Sequence, residues 1–583
     1  MKISPAKTIS IVGLIVIFFI LVIMYNGDEK KFGKIRESYL DWYFRANPVT
    51  ATWIGIHTYD SKLPLNRKED YLKEKSITQS FLTQLRNINP NFLNLDDQVD
   101  YDLMVHSLNE TLFYLSEIKS HTWDPTGPVW TLGSGYETLM GYNFSPKDKR
   151  AKSLSGRIQE TSLFLENAEK LLDEMPKPHL ETAINQCEGL ISVMEEDLLL
   201  FVEDLDSTLS KDLIKSGKSA SNAIKKYQSF LEKKLDTGPH RNFRLGESLY
   251  NKLLPYTLNE GISAEEVLNR AHLELRSVQM EMLDLAVPLH KKLFKAKSKI
   301  ESHDDQLFVI EKVLNKIADD HVERHEVVKN ARETIDELNQ FILEKDLLTL
   351  DPSKPLEIRE TPEYQRGFSI ASLQAPGPLE DNLKTYYNVS PIPEDWSEKQ
   401  AESFLREYNR ISVKILSIHE ALPGHYVQLY YANRHPSIIR SILGSGVMIE
   451  GWAHYTEGMM IDEGFGNGDP RYSLVQMKWK LRGIANAIID QKIHAGTMTE
   501  EEAIELMVDE TFQEEAEASA KWRRAQLSFG QLSTYFVGSE LMLDLKRDIE
   551  QEKGSNFNLK DFHEELLSHG SVPIRHLRRL MLD

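Results

Sequence analysis

From Phe32 to Leu350, apolar residues recur every three or four positions with polar residues between them, which is the period of an amphipathic helix. "SAEEVLNRAHLELRSVQMEMLDLAV" shows the pattern clearly, and Ser263 and Glu266 stand at the two positions of a capping box at its start. "GRIQETSLFLENAEKLLDEM" and "SHDDQLFVIEKVLNKIADDH" behave in the same way. The pattern changes between Pro355 and Pro393, where "LEIRETP", "GFSIASLQAPGP" and "KTYYNVSPIP" are short, β-prone and punctuated by Pro and Gly. These segments predict a small sheet. Helical spacing returns in "SEKQAESFLREYNRISVKILSIHEAL", with Ser397 and Gln400 placed to cap it. It continues through "GVMIEGWAHYTEGMMIDEG", "LVQMKWKLRGIANAIIDQKIH" and "TEEEAIELMVDETFQEEAEASAKWRRAQ", the last opening on a Thr499–Glu502 box. The fold class is therefore mainly α, with helices walling a cleft and a small sheet just before the segment that holds His419.

One further segment stands apart. After Lys2 and Lys7 comes an uncharged run whose centre, Ile9 to Tyr25, is almost wholly apolar. It approaches the ~20 residues that cross a bilayer and exceeds the core of a signal peptide. No small-x-small cleavage site follows, so an N-terminal transmembrane signal-anchor is expected, with cleavage as the alternative. Lys30 and Lys31 weaken the charge asymmetry that sets orientation, and the body is expected outside the cytoplasm, periplasmic or at the cell surface. The division that follows is 1–31 for the anchor, 32–350 for the helical walls and 351–583 for the catalytic region.

Composition narrows the function classes. Across 583 residues the net charge is -20, which argues against nucleic acid as a partner. Cys187 is the only cysteine and sits in a helical pattern, so disulfides and thiolate metal clusters are excluded.

The chemistry concentrates in "IHEALPGHYVQ". His419 and Glu420 are adjacent, but the next histidine is His425, six residues on. On an unbroken helix that offset swings the second ring by ~240°, away from the first. Pro423 lacks an N–H for the preceding turn and Gly424 permits unusual backbone angles, so a break there can bring His425 back beside His419. The alternative is a helix that ends at Leu422 with two unrelated histidines. A hydrolytic zinc site takes three protein ligands, and Glu450, twenty-five residues after His425, is placed to be the third on a returning helix. His454 and Glu457 share its face at offsets of four and seven, suited to holding ligand imidazoles in place. A solvated acidic face is the competing account.

Together these residues resemble the DUF885 family, a bacterial group of zincin-like metallopeptidase candidates, many of them exported or membrane-anchored. The family patterns HEAxPGHxxQ and EGWAxYxE correspond to His419–Gln428 and Glu450–Glu457, and the likeness runs from about Tyr386 to the C-terminus. The N-terminal half agrees mainly in being long and helical. The resemblance implies a gluzincin-like body, zinc (Zn2+) held by His419, His425 and Glu450, and Glu420 as general base. Tyr535 resembles the tyrosine that helical gluzincins aim at the scissile carbonyl, although core packing would also explain it. Two positions depart from the family: Phe529-Gly530-Gln531 replaces Pro-Gly-Gln, and Lys521 stands where a Glu is often found, while Arg524 is kept.

Two assignments stay open at this level. Tyr386, Tyr387 and Asn388 would bind substrate if "YYNVS" were an edge strand that pairs with a peptide, or they belong to a plain structural strand. Asp490 and His494, four apart, are either functional or a local pair. The expected function is a membrane-anchored zinc metallopeptidase acting on short peptides. A peptide-binding module without turnover, and an amidase acting on cell-wall or acylated amino-acid substrates, would use the same residues.

Overall fold

The capping signals are the local instructions the chain follows most closely. Ser263, Ser397 and Thr499 each accept a bond from the N–H three residues on, and Glu266, Gln400 and Glu502 reach back to complete the box. These data come from a computed structural model, which describes residues 27–582 apart from 296–299, 362–370, 381–382 and 395. The Ile9–Tyr25 segment expected to span a membrane lies outside the described residues. No helix among them is long and apolar enough to cross a bilayer.

The protein is mainly helical with one small sheet. Six helices frame the region of interest: α1 Arg410–Glu420, α2 His425–Ala432, α3 Gly446–Asp462, α4 Pro470–His494, α5 Glu515–Leu527 and α6 Ser533–Lys553. Two stretches that read as continuous helices are interrupted. Asn409 ends the helix Glu398–Glu407 by donating to the Arg406 carbonyl, then caps α1 by accepting from the N–H groups of Ile411 and Ser412. In the second case a π-helical turn, Leu506–Glu510, leads to Phe512 at φ 61°, and α5 begins only at Glu515. The buried Phe512 side chain compensates for a backbone conformation that disfavours it.

The three strands are β1 Leu356–Glu360, β2 Ala371–Gln374 and β3 Thr385–Val389, in the order β1-β3-β2. β3 runs parallel to β1 and antiparallel to β2, pairing Leu356 with Thr385 and Ala371 with Val389. This corrects the edge-strand expectation for Tyr386, Tyr387 and Asn388. Their strand is central and its backbone is paired on both sides, so no peptide can add to it. Arg359 crosses the sheet, donating to Asn388 (2.8 Å) and Gln374 (2.6 Å) and stacking over the Tyr386 ring (3.8 Å). The Tyr387 hydroxyl lies 3.3 Å from Ser417 Oγ and ties the sheet to α1. All three residues hold the sheet together.

The largest apolar core draws on residues either side of position 350, from Phe32 to Leu577. A second core is formed by the helices between Thr126 and Thr237 and includes Cys187, whose thiol is pushed up to about 12 by burial and so stays protonated. Within the main body α3 and α6 approach until their backbones touch. A Cβ on Gly451 would lie 2.5 Å from the Gly538 carbonyl carbon. That approach clamps the helix that carries Glu450, His454 and Glu457 against the helix that carries Tyr535.

Candidate metal centre

α1 stops at Glu420 and α2 starts at His425, so the Pro-Gly pair does break the helix. In the turn, Leu422 N–H donates to the Ser417 carbonyl (3.1 Å) and Gly424 N–H to that of Ile418 (2.9 Å). Trp452 on α3 donates its indole N–H to the Pro423 carbonyl at 2.9 Å, pinning the turn from the neighbouring helix. Gly424 is required by close approach, because a Cβ there would lie 1.8 Å from the His419 carbonyl oxygen. Gly424→Ala is therefore expected to destabilise the protein by roughly 1–3 kcal/mol or more and to loosen the His419–His425 pair. Thermal melting and metal titration of that variant check this, and unchanged values in both would overturn it.

The break brings the two rings together, edge to face, with centroids 4.7 Å apart. Glu450 comes in from α3. Its Oε2 lies 3.6 Å from His419 Nε2 and 3.5 Å from His425 Nε2, and it is buried with no hydrogen-bond partner. Those separations are long for hydrogen bonds. They are close to the edge of a tetrahedron of zinc ligands, which is about 3.3 Å for bonds near 2.0–2.1 Å. The donor set, two imidazole nitrogens and one carboxylate, fits zinc.

A second carboxylate stands behind the first. Glu457 is fully buried, and its Oε1 lies 2.7 Å from His419 Nδ1 and 3.1 Å from His454 Nδ1. His419 thus turns one ring nitrogen to each carboxylate. Two overlapping groups could hold an ion: His419, Glu420 and His425, and His419, His454 and Glu457, each with ligand atoms within 4.8 Å of one another. Glu457 already has short hydrogen-bond geometry with His419, whereas Glu450 Oε2 and the two Nε2 atoms converge without bonding. The Nε2 side, with Glu450, is the better ion site. The rings and carboxylates of the centre also shift one another. Burial alone would raise the Glu450 carboxyl, yet the facing His419 and His425 rings hold it well below the usual carboxylate range. Burial also opposes protonation of His419, but Glu450 and Glu457 raise it well above an ordinary imidazole.

A row of rings leads outward from this centre. The His419 and His454 centroids are 4.9 Å apart, and those of His454 and Tyr535 are 5.6 Å apart. Tyr535, half-buried at the start of α6, accepts a hydrogen bond on its hydroxyl from Arg524 Nη2 at 2.9 Å. The same guanidinium nitrogen donates to Gln531 Oε1 at 2.9 Å. One turn back on α5, Lys521 is buried at 6% exposure within electrostatic reach of Glu450. Burial, with Arg482 and Arg524 nearby, pushes its ammonium down to about 7.

Asp490 and His494 form neither a metal site nor a surface pair. Asp490 is fully buried and accepts from Tyr250 hydroxyl (3.0 Å), Ser533 hydroxyl (2.8 Å) and Gly530 N–H (3.0 Å), with burial raising it to about 6. His494 Nε2 donates to the Ala525 carbonyl at 2.7 Å, and burial lowers its imidazole to about 4. Together they anchor the end of α5, the Phe529–Gln531 turn and the start of α6, and so position Arg524 and Tyr535. The four-residue spacing was visible in the sequence, but the partners that give it meaning lie as far away as Tyr250.

Two solved structures resemble the whole chain. One is a candidate lipoprotein of unknown function from Shewanella oneidensis, 36% identical, with a TM-score of 0.81, covering 95% of this chain and 100% of that one. The other is a candidate lipoprotein from Colwellia psychrerythraea, 18% identical, with a TM-score of 0.77, covering 96% and 98%; at that identity it shows the fold alone. No curated protein matches the chain. A family model matches residues 48–581, and with it the helical N-terminal half as well as the histidine motifs: the chain belongs to DUF885, the bacterial proteins of unknown function.

Proposed function

We propose that the protein is a zinc metallopeptidase of gluzincin type, cutting short peptides in the cleft beside α1 and α3. The observation that carries this reading is Glu450 Oε2, buried with no hydrogen bond, placed 3.6 Å from His419 Nε2 and 3.5 Å from His425 Nε2. Zinc, when bound, supplies Lewis acidity toward a carbonyl oxygen and lowers the pKa of water. Glu420 accepts the proton of the attacking water and returns it to the departing amine. Tyr535 donates its hydroxyl proton toward the carbonyl oxygen as charge develops there, with Arg524 bonded to the phenol oxygen to strengthen that donation. Glu457 orients His419 and His454. With β3 closed on both sides, a peptide backbone would pair with an outer strand of the sheet, and β2 is the one that packs beside α1.

For location, the two solved relatives are described as candidate lipoproteins. In this sequence the apolar Ile9–Tyr25 segment is the one suited to an anchoring role. The body then lies outside the cytoplasm.

Zinc analysis of the purified protein, with a mixed peptide library read by mass spectrometry, tests the reading. About one zinc per chain and cleavage that a chelator abolishes are expected. A protein free of zinc, or loaded but inert toward every peptide, would sink it. Within that assay Tyr535→Phe removes a single hydroxyl, so zinc content should persist while kcat falls by roughly 10²–10³. Undiminished turnover would make Tyr535 a packing residue.

A further inference from the structure

We propose that Lys521 and Arg524 form a subsite that receives a carboxylate of the substrate, beside the bond to be cut. The inference rests on the peptidase reading and names the chemistry of its substrate. Lys521 is buried at 6% exposure, yet among the described residues no carboxylate lies within ion-pair distance of it. A buried cation is ordinarily paired, because desolvation without a counter-charge is expensive. The carboxylates that act on it are engaged elsewhere, Glu517 bonded to Arg482 and Glu450 turned to the His419 and His425 nitrogens. Lys521 and Arg524 lie toward the reaction centre, since Lys521 feels the field of Glu450 and Arg524 holds the Tyr535 hydroxyl.

Arg524 also remains exposed enough to turn a second face of its guanidinium toward a ligand. An ammonium and a guanidinium one helical turn apart suit a carboxylate, which can accept from both. That group is either the C-terminal carboxylate of a short peptide or an acidic side chain next to the scissile bond. The first would make the enzyme act at chain ends, and the second would make it select a residue.

The test compares the zinc-loaded wild type with Lys521→Met and Lys521→Arg on matched peptides. One pair differs as free acid against C-terminal amide, the other as Glu against Gln at positions flanking the cleavage site. The wild type should prefer the carboxylate member of one pair by roughly 10-fold or more in kcat/KM, carried by KM. The preference should vanish in Lys521→Met and return in Lys521→Arg. Which pair responds identifies the source of the carboxylate. No preference in the wild type, or a preference that Lys521→Met keeps, overturns the proposal. Melting temperature is a second readout: relieved of an unpaired buried charge, Lys521→Met should melt no lower than wild type. A large fall would mean that Lys521 is needed for the fold instead. If no peptide is cleaved at all, the peptidase reading fails by itself. Calorimetric binding of the acid and amide peptides to wild type and Lys521→Met then decides the subsite, and equal affinities for all combinations overturn it.

Discussion

Replacing Glu420 with Gln is expected to leave zinc bound and to lower kcat by roughly 10²–10⁴-fold. Glu420 is the last residue of α1, immediately after the ligand His419, and its carboxylate lies within 4.8 Å of the ligand atoms of His419 and His425. Gln has nearly the same size and can still hydrogen-bond to water, but it cannot take up a proton at that position. Peptide affinity should therefore survive while turnover is lost. Normal cleavage by Glu420→Gln would end the proposed mechanism. Loss of zinc along with activity would point elsewhere, making Glu420 a ligand, a role its distance to both histidines permits.

The other large effect separates the two carboxylates of α3. Glu450→Ala should lower zinc affinity far beyond the roughly 10–100-fold expected when a group that only orients a ligand is removed, which is the effect expected of Glu457→Gln. Glu450 Oε2 faces both Nε2 atoms, whereas Glu457 meets His419 through Nδ1 and meets His454 as well. Competition against a chromophoric chelator measures both variants on one scale. A larger loss in Glu457→Gln would move the ion to the His419–His454–Glu457 group. Gln is the appropriate replacement at position 457, because an apolar side chain would take away the Nδ1 partner of both His419 and His454.

The glycine effect at Gly424 and the Glu450 effect test different levels of the same site. Gly424 acts through backbone packing, since any side chain there meets the carbonyls of Ile418 and His419. Glu450 acts through its ligand atom alone. If both variants lose metal but only Gly424→Ala melts early, the helix break and the ligand set are independently supported.

Features that depend on neighbours within a turn or two are legible in the residues alone. Ser263, Ser397 and Thr499 start their helices where the capping pattern placed them, and the three β-prone segments around Pro355–Pro393 became strands. Pro423 and Gly424 break the helix between the two histidines, because a missing N–H and a missing Cβ act locally. Glu450, His454 and Glu457 share a face for the same reason, being one and two turns apart.

Features that depend on remote partners emerge only once the chain is folded. Thr385–Val389 looked like an edge but is central, because strand order follows from pairing with Leu356–Glu360 and Ala371–Gln374 and leaves no trace in the strand's own residues. Asn409 and Phe512 interrupt helices whose apolar period runs on through them. Asp490 gained its role from Tyr250 and Ser533, and Lys521, a polar residue in a charged helix, was buried by neighbours from other elements. The division of His419 between Glu450 at Nε2 and Glu457 at Nδ1 is set by how α3 packs against α1, and α3 in turn meets α6 where Gly451 touches Gly538. Local hydrogen bonds and steric limits are written in adjacent residues, whereas desolvation and packing depend on which surfaces meet.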